Sequence, residues 1–381
     1  MYSLHSYGKM LADGPRMDAY VAALRRTVRP GSVVLDLGCG PGVFALMACQ
    51  FGARRVFAVE PDNVIELARD AARANEFANR IEFFQSLSTE ITLPERADVI
   101  ISDLRGVLPW YQQHIPSIVD ARNRFLSPGG TLIPQRDVLW AAVVDAPDRH
   151  EDIVGPWRSG GLDLSAARRV ITNTWRKTRL KADELLVEPL CWATLDYREI
   201  QSPDIRAEIV WQAGRSGIAH GVAVWFDSEL FEEIGFSNRP GSSELIYGNG
   251  LFPFLQPVDV AEGDRICLTL RADYVGDDYI WRWNTDFFAA GRDSAAPKAS
   301  FKQSTFFGVP LSPSQMRKQA AGYKPALDRR GEARSFIMQL MNGENSLAEI
   351  ASQLTQRFPE RYADANAALN EVAAVSREFG Q

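Results

Sequence analysis

The sequence predicts a parallel, doubly wound α/β domain of Rossmann-like type, then an antiparallel β-barrel or sandwich, then a small winged-helix-like domain. Three observations carry this. Apolar runs alternate with helix-like segments from Gly31 to about residue 136; short β-like runs separated by Gly, Pro, Asn and Asp fill 137–311; and helical periodicity returns over 312–381.

Residues 1–30 hold a helix-like run from Met17 to Thr27, broken by Arg29-Pro30-Gly31, and are placed as a segment covering the next domain. In 31–136 the expected strands are Val33 to Leu37, Val56 to Glu60, Ile81 to Phe84, Ala97 to Ser102 and Thr131 to Ile133. Helices are expected at 43–50, 62–75 and about 112–125. Strand one runs into Asp36-Leu37-Gly38-Cys39-Gly40-Pro41-Gly42, whose alternating glycines admit a ligand close to the backbone, beside the N–H groups that open the next helix. Glu60, 22 positions after Gly38, offers a carboxylate to a ribose diol. The spacing differs from the Gly-x-Gly-x-x-Gly of dinucleotide folds.

In 137–311 the β-like runs are Val138 to Val144, Leu185 to Thr194, Ala207 to Gln212, Gly221 to Phe226, Arg265 to Ala272 and Tyr279 to Asn284. A polar insertion at 155–180 interrupts them, and Trp281 and Trp283 read as core. In 312–381 a helix at 336–341 stops at Asn342-Gly343, and Ser346-Leu347-Ala348-Glu349 forms a capping box that opens a second helix. A third spans about 364–379, with short strands expected before the first.

The 381 residues are 46% apolar, and 42 basic against 48 acidic side chains give a formal charge of −6. No global basic field argues for nucleic acid. The four cysteines lack a CxxC pair and the four histidines are scattered, so free, buried thiols and no metal centre are expected. No long apolar window or basic leader is present, which places the chain in the cytoplasm without a membrane partner.

The glycine turn with its acidic partner resembles motif I of class I S-adenosylmethionine-dependent methyltransferases. Over residues 2–310 the resemblance narrows to protein arginine methyltransferases. Met10-Leu11-x-Asp13-x-x-Arg16 is similar to that family's cofactor-covering segment, and Ile100-Ile101-Ser102-Asp103 with Ala121-Arg122-x-x-Phe125-Leu126-x-Pro128-Gly129-Gly130 is similar to the stretch around its substrate loop. The resemblance implies that S-adenosyl-L-methionine is held by Met10, Arg16, Asp36, Gly38, Cys39, Gly40, Gly42, Glu60, Leu87, Ser88 and Thr89, with Arg16 on the methionine carboxylate. It also implies a homodimer formed through the 155–180 insertion.

Two departures stand out. The family's pair of substrate-gripping glutamates corresponds to Asp103 and Gln112, and its Thr-His-Trp element to Leu245-Ile246-Tyr247, where no residue replaces the histidine. Leu340-Met341-Asn342-Gly343-x-x-Ser346-Leu347-x-Glu349-Ile350 is similar to the PqqD-like peptide-binding domain that recognises precursors in ribosomal peptide modification.

The reading is therefore a methyltransferase acting on a peptide or protein, such as a ribosomal precursor peptide, at a residue other than arginine. Asp103 and Gln112 are the catalytic positions, with Tyr111 and His114 as nearby alternatives to Asp103. The alternatives are small-molecule or arginine methylation, or a catalytically weak cofactor-binding scaffold that recruits a peptide.

Overall fold

The computed structural model describes residues 3–291 and 296–380, and the chain divides into two compact units, Met1–Pro310 and Leu311–Gln381. The first unit opens with helices α1 (Leu4–Ala12) and α2 (Gly14–Thr27). The α2 helix starts where it does because the Asp13 side chain caps it by accepting from the Arg16 N–H, with Pro15 in the first turn.

A five-stranded parallel sheet follows, built from β1 (Val33–Leu37), β2 (Arg55–Val59), β3 (Ile81–Phe84), β4 (Ala97–Ser102) and β5 (Leu126–Ile133) in the order β3-β2-β1-β4-β5. Its connections include α3 (Val43–Gln50), α4 (Ile65–Ala74) and α5 (His114–Phe125). All five residues of β1 are buried, as expected of a central strand covered on both faces. Strand order reverses between β1 and β4, so the crevice beyond their carboxyl ends is flanked by the glycine turn after β1 and by Asp103 after β4.

The chain then forms β6 (Arg136–Val144), α6 (Pro147–Val154), α7 (Ser165–Ile171) and β7 (Arg176–Thr178). It continues as β8 (Leu190–Asp196), β9 (Ile205–Gln212), β10 (Gly217–Phe231), β11 (Ile234–Ser237), β12 (Asn249–Val260), β13 (Arg265–Val275), β14 (Asp278–Phe288) and β15 (Ala299–Ser304). These strands make two antiparallel sheets, β7-β12-β10-β6-β8 with β11 on β10, and β15-β14-β13-β9. Trp281 and Trp283 are buried between them, as expected. One apolar core runs from Leu35 and Phe57 of the parallel sheet into this double sheet. Trp110, carried by the loop after β4, completes it by packing 5.0 Å from Trp192 and 6.1 Å from Trp281, ring centre to ring centre.

Several expectations need correction. The short strands β7 and β11, together with β12 and β15, are absent from the sequence reading. Pro253 and Pro257 disguise β12; both lie beyond the three residues that pair with β7, where a missing N–H leaves no neighbour unserved. Cys191 is exposed and Cys267 half-buried, so only Cys39 and Cys49 are buried thiols.

The second unit is helical: α8 (Pro313–Gln319), α9 (Arg329–Leu340), α10 (Leu347–Arg357) and α11 (Ala365–Phe379). The capping box is present, with the Ser346 side chain accepting from the Glu349 N–H and the Glu349 carboxylate accepting from the Ser346 N–H. Among the described residues no strand precedes α9, and α8, with Pro313 in its first turn, stands there instead. The short strands expected there, and with them the edge strand of a winged module, are therefore missing among the described residues. Ile337, Ile350, Leu354, Val372 and Val375 form the unit's own core. Leu354→Ala should lower its stability by about 2–5 kcal/mol, measured by urea unfolding; native-like stability would show that these helices share no packed core.

Candidate functional site

The turn after β1 is shaped by three glycines with positive φ, at 75° for Gly38, 51° for Gly40 and 82° for Gly42. Each is also crowded. A Cβ at Gly38 would collide with the Leu104 side chain, at Gly40 it would lie 2.8 Å from the Tyr7 ring, and at Gly42 2.6 Å from the Ala68 Cβ. The turn is thus pressed by α1 from one side and by the loop after β4 from the other.

Asp36 is buried and its carboxylate accepts the Ala45 N–H at 2.9 Å, so it fixes the start of α3. Burial pushes its pKa up to about 7. Cys39 is also buried, with its thiol pushed up by burial and by Asp36. The Glu60 carboxylate accepts the Gly40 and Asp62 N–H groups, each at 3.0 Å, and burial raises its pKa. Glu60 therefore locks the end of β2 to the glycine turn. Leu87 and Thr89 are exposed and Ser88 is buried, all just past β3 on the same edge of the sheet.

The chemistry concentrates on Asp103. Its carboxylate is buried and paired with two guanidiniums, Arg16 (Nε 2.8 Å) and Arg105 (Nε 3.4 Å), and it accepts from the Tyr247 hydroxyl at 2.7 and 2.8 Å to its two oxygens. Burial alone would raise the Asp103 pKa, but Arg16, then Arg105, bring it down to about 2. It is a carboxylate at any ordinary pH. Arg16 also donates from Nη1 to the Met10 carbonyl (3.1 Å), tying the first helix to this carboxylate. Burial works against the Arg16 charge, yet Asp103 keeps its pKa raised.

Arg105 continues the chain of charges inward. Its Nη1 donates to Asp137 (2.7 Å) and to the Ser228 hydroxyl (2.6 Å), and its Nη2 to the Tyr20 hydroxyl. Tyr197 donates to Asp137 at 2.6 Å and so spends its proton there; His114 Nε2, 3.0 Å away, donates to the Tyr197 oxygen. Burial, then Arg105, lower the His114 pKa to about 3.

These placements bear on four expectations. Gln112 is exposed, has φ 42°, and meets Asp278 of the barrel through its backbone N–H at 3.2 Å, so the loop does not bring it to Asp103. His114 faces a buried network, not the crevice. Arg16, expected on a cofactor carboxylate, gives its Nε and one Nη2 hydrogen to Asp103 and keeps a second Nη2 hydrogen. Tyr247, from the element judged unable to replace a histidine, is a direct partner of Asp103. Neither Tyr247 nor Arg105 was given a role from the sequence; the pairing of Tyr247 with Asp103 spans 144 positions, and Arg105 reads as an ordinary loop arginine.

The residues present fit an adenosyl cofactor. The glycine cradle that any Cβ would fill, the Glu60 carboxylate and the N-terminus of α3 converge at one sheet edge, with Arg16 beside them.

Comparison with known families divides the chain at the same place as the fold. Residues 18–134 match the ribosomal protein L11 methyltransferase (PrmA) family, and residues 135–283 match the arginine methyltransferase oligomerization subdomain. The chain is 30% identical to protein arginine N-methyltransferase 6 of Xenopus tropicalis over 276 residues, 68% of this chain and 80% of that protein. It is 28% identical to a probable protein arginine N-methyltransferase 6 of Arabidopsis thaliana over 262 residues, 65% of this chain but 60% of that one. The crystal structure of Arabidopsis thaliana protein arginine methyltransferase 10 shares the fold, with a TM-score of 0.69 and 24% identity over 79% of this chain and 97% of that one.

Two tests follow from the buried charges. Asp36, raised in the folded protein from an unfolded value of about 3.9, contributes stability that is present below that value and lost as pH rises through about 7. Asp36→Asn should flatten the fall of melting temperature between about pH 4 and 7, and an unchanged slope would remove Asp36 as its source. Arg105→Gln leaves Asp137 and half of Asp103 unpaired and should cost about 3–5 kcal/mol in chemical denaturation; a loss below about 1 kcal/mol would mean that solvent reaches these carboxylates.

Proposed function

The chain belongs to the protein arginine methyltransferase family, and from that membership we propose that it methylates a protein or peptide. It is a class I methyltransferase whose cofactor is S-adenosyl-L-methionine. The observation that carries the proposal is the contact between donor and acceptor sides: Leu104 lies on Gly38, and its neighbour Asp103 is bound to Arg16 of the cofactor-covering segment.

When bound, the cofactor supplies an electrophilic methyl group for in-line displacement. Gly38, Gly40 and Gly42 would admit it to the backbone, Glu60 would hold the ribose hydroxyls, and Leu87, Ser88 and Thr89 would border the adenine. Arg16 keeps one Nη2 hydrogen outside the contacts above for a carboxylate. Tyr7 covers the turn at Gly40, and Met10 would close over the cofactor. Asp103, fixed as an anion, orients an acceptor N–H or O–H toward the methyl group; with a pKa of about 2 it is a poor proton acceptor.

The relatives' names favour arginine as the acceptor over the non-arginine reading of the sequence. A second reading, a neutral acceptor, is favoured by the charge count. Arg16 and Arg105 already balance Asp103 and Asp137, and Gln112 adds no charge for an arriving cation. The family region named for oligomerization spans the 155–180 insertion, whose Trp157 and Leu162 are exposed, which supports a homodimer through that arm. The helical unit at 311–381, with nine basic and eight acidic side chains over 312–381, is proposed as a peptide-recognition element and not a nucleic-acid one. No helix among the described residues is long and apolar enough to cross a membrane, which fits a cytoplasmic site of action.

Transfer of tritiated methyl groups to an Arg-Gly-Gly peptide, to the same peptide with Gln for Arg, and to a cell extract tests this directly. Labelling of the arginine peptide, lost with Asp103→Asn, would establish arginine. Labelling confined to other proteins, with no labelled methylarginine in their hydrolysate, would establish the neutral acceptor. Binding of S-adenosylhomocysteine with no labelling of any polypeptide would overturn the proposal in favour of a scaffold.

A further inference from the structure

A cavity of about 230 Å³ opens in the barrel between α6, the segment after β7 and the loop that leads to Tyr247. Its lining reverses the charge of the protein as a whole. Arg149, Arg179, Lys181 and Arg239 face it against a single carboxylate, Glu244, in a chain whose formal charge is −6.

Two features show unspent binding capacity. The Nε of Arg149 is buried without a hydrogen-bond partner, a state that folded proteins rarely leave uncompensated. Among the described residues Arg179 is held by Glu244 at 3.1 Å, with 58% and 69% of the two side chains exposed, so an incoming anion displaces that pair at little cost. The floor is rigid, because Asn249 accepts the Leu180 N–H and donates to the Asn238 carbonyl, while Asn238 accepts the Phe226 N–H. The positive field extends toward α1: burial, then Arg179 and Lys9, lower the pKa of neighbouring Lys177.

The cavity is also joined to the reacting site. Leu245 lines it, the Ile246 N–H donates to Asp13 at the start of α2, and Tyr247 donates to Asp103. We propose that this cavity binds an acidic segment of the acceptor polypeptide, its carboxylates seated among Arg149, Arg179 and Arg239. This rests on the reading that the acceptor is a polypeptide, and it adds a specificity: acidic residues at a fixed distance from the methylated one.

Fluorescence anisotropy of a labelled hexaglutamate peptide with the full chain tests the site without requiring turnover, so its outcome is separate from that of the transfer assay. Arg149→Gln combined with Arg239→Gln should weaken binding by about tenfold or more, while Arg206→Gln, on the remote edge strand β9, leaves it unchanged. Glu244→Gln should tighten binding by releasing Arg179, a gain that misfolding cannot mimic. S-adenosylhomocysteine binding by calorimetry checks that each variant is folded. Equal hexaglutamate binding by the native and doubly substituted proteins would overturn the proposal. So would inorganic phosphate binding that is lost in the double variant while peptide binding persists, which would assign the cavity to a free anion.

Discussion

The structure depends on one buried carboxylate shared by two guanidiniums. Asp103 follows β4, Arg16 comes from α2, Arg105 reaches on to Asp137 of β6 and Ser228 of β10, and Tyr247 closes the group from just before β12. The parallel sheet and the barrel are therefore joined by charge as well as by the apolar seam at Trp110. Such a chain tolerates no partial removal, since each member is the desolvated partner of another. The exposed pairs elsewhere, such as Arg26 with Glu232, carry no comparable constraint.

What the sequence disclosed and what it hid follow from the range of the forces involved. The glycine turn was legible because positive φ at three alternate positions is a local demand that few residues meet. Glu60 was legible because strand length fixes its distance from that turn. The capping box at Ser346 and Glu349 is likewise local. By contrast, Tyr247 and Arg105 matter only through partners that the fold brings from distant segments, and one hydroxyl or guanidinium in a loop announces nothing by itself. The contact of Asp36 with the Ala45 N–H was hidden likewise: motif spacing marks a residue as part of the turn but does not say which backbone group its side chain meets.

The same distinction bears on how this site differs from its relatives' names. An alignment compares residues at matching positions, and by that measure Asp103 with Gln112 is a depleted pair. Three-dimensional structure counts the charges that actually meet, and there Asp103 is held by Arg16, Arg105 and Tyr247 while Gln112 lies against Asp278. Both views agree on the cofactor side, where the backbone itself forms the cradle. They diverge on the acceptor side, where side chains decide.

The first helix has a thermodynamic character unlike the rest of the unit. None of its described residues is buried, its start is held by Ser3 accepting the Ser6 N–H, and it meets the body through the Tyr7 ring above Gly40 and the Met10 carbonyl on Arg16. An element with so little buried apolar surface opens by local unfolding at a small fraction of the global cost. The residence time of whatever occupies the turn is then set by the fraying of about a dozen residues, and not by any parting of the sheet from the barrel.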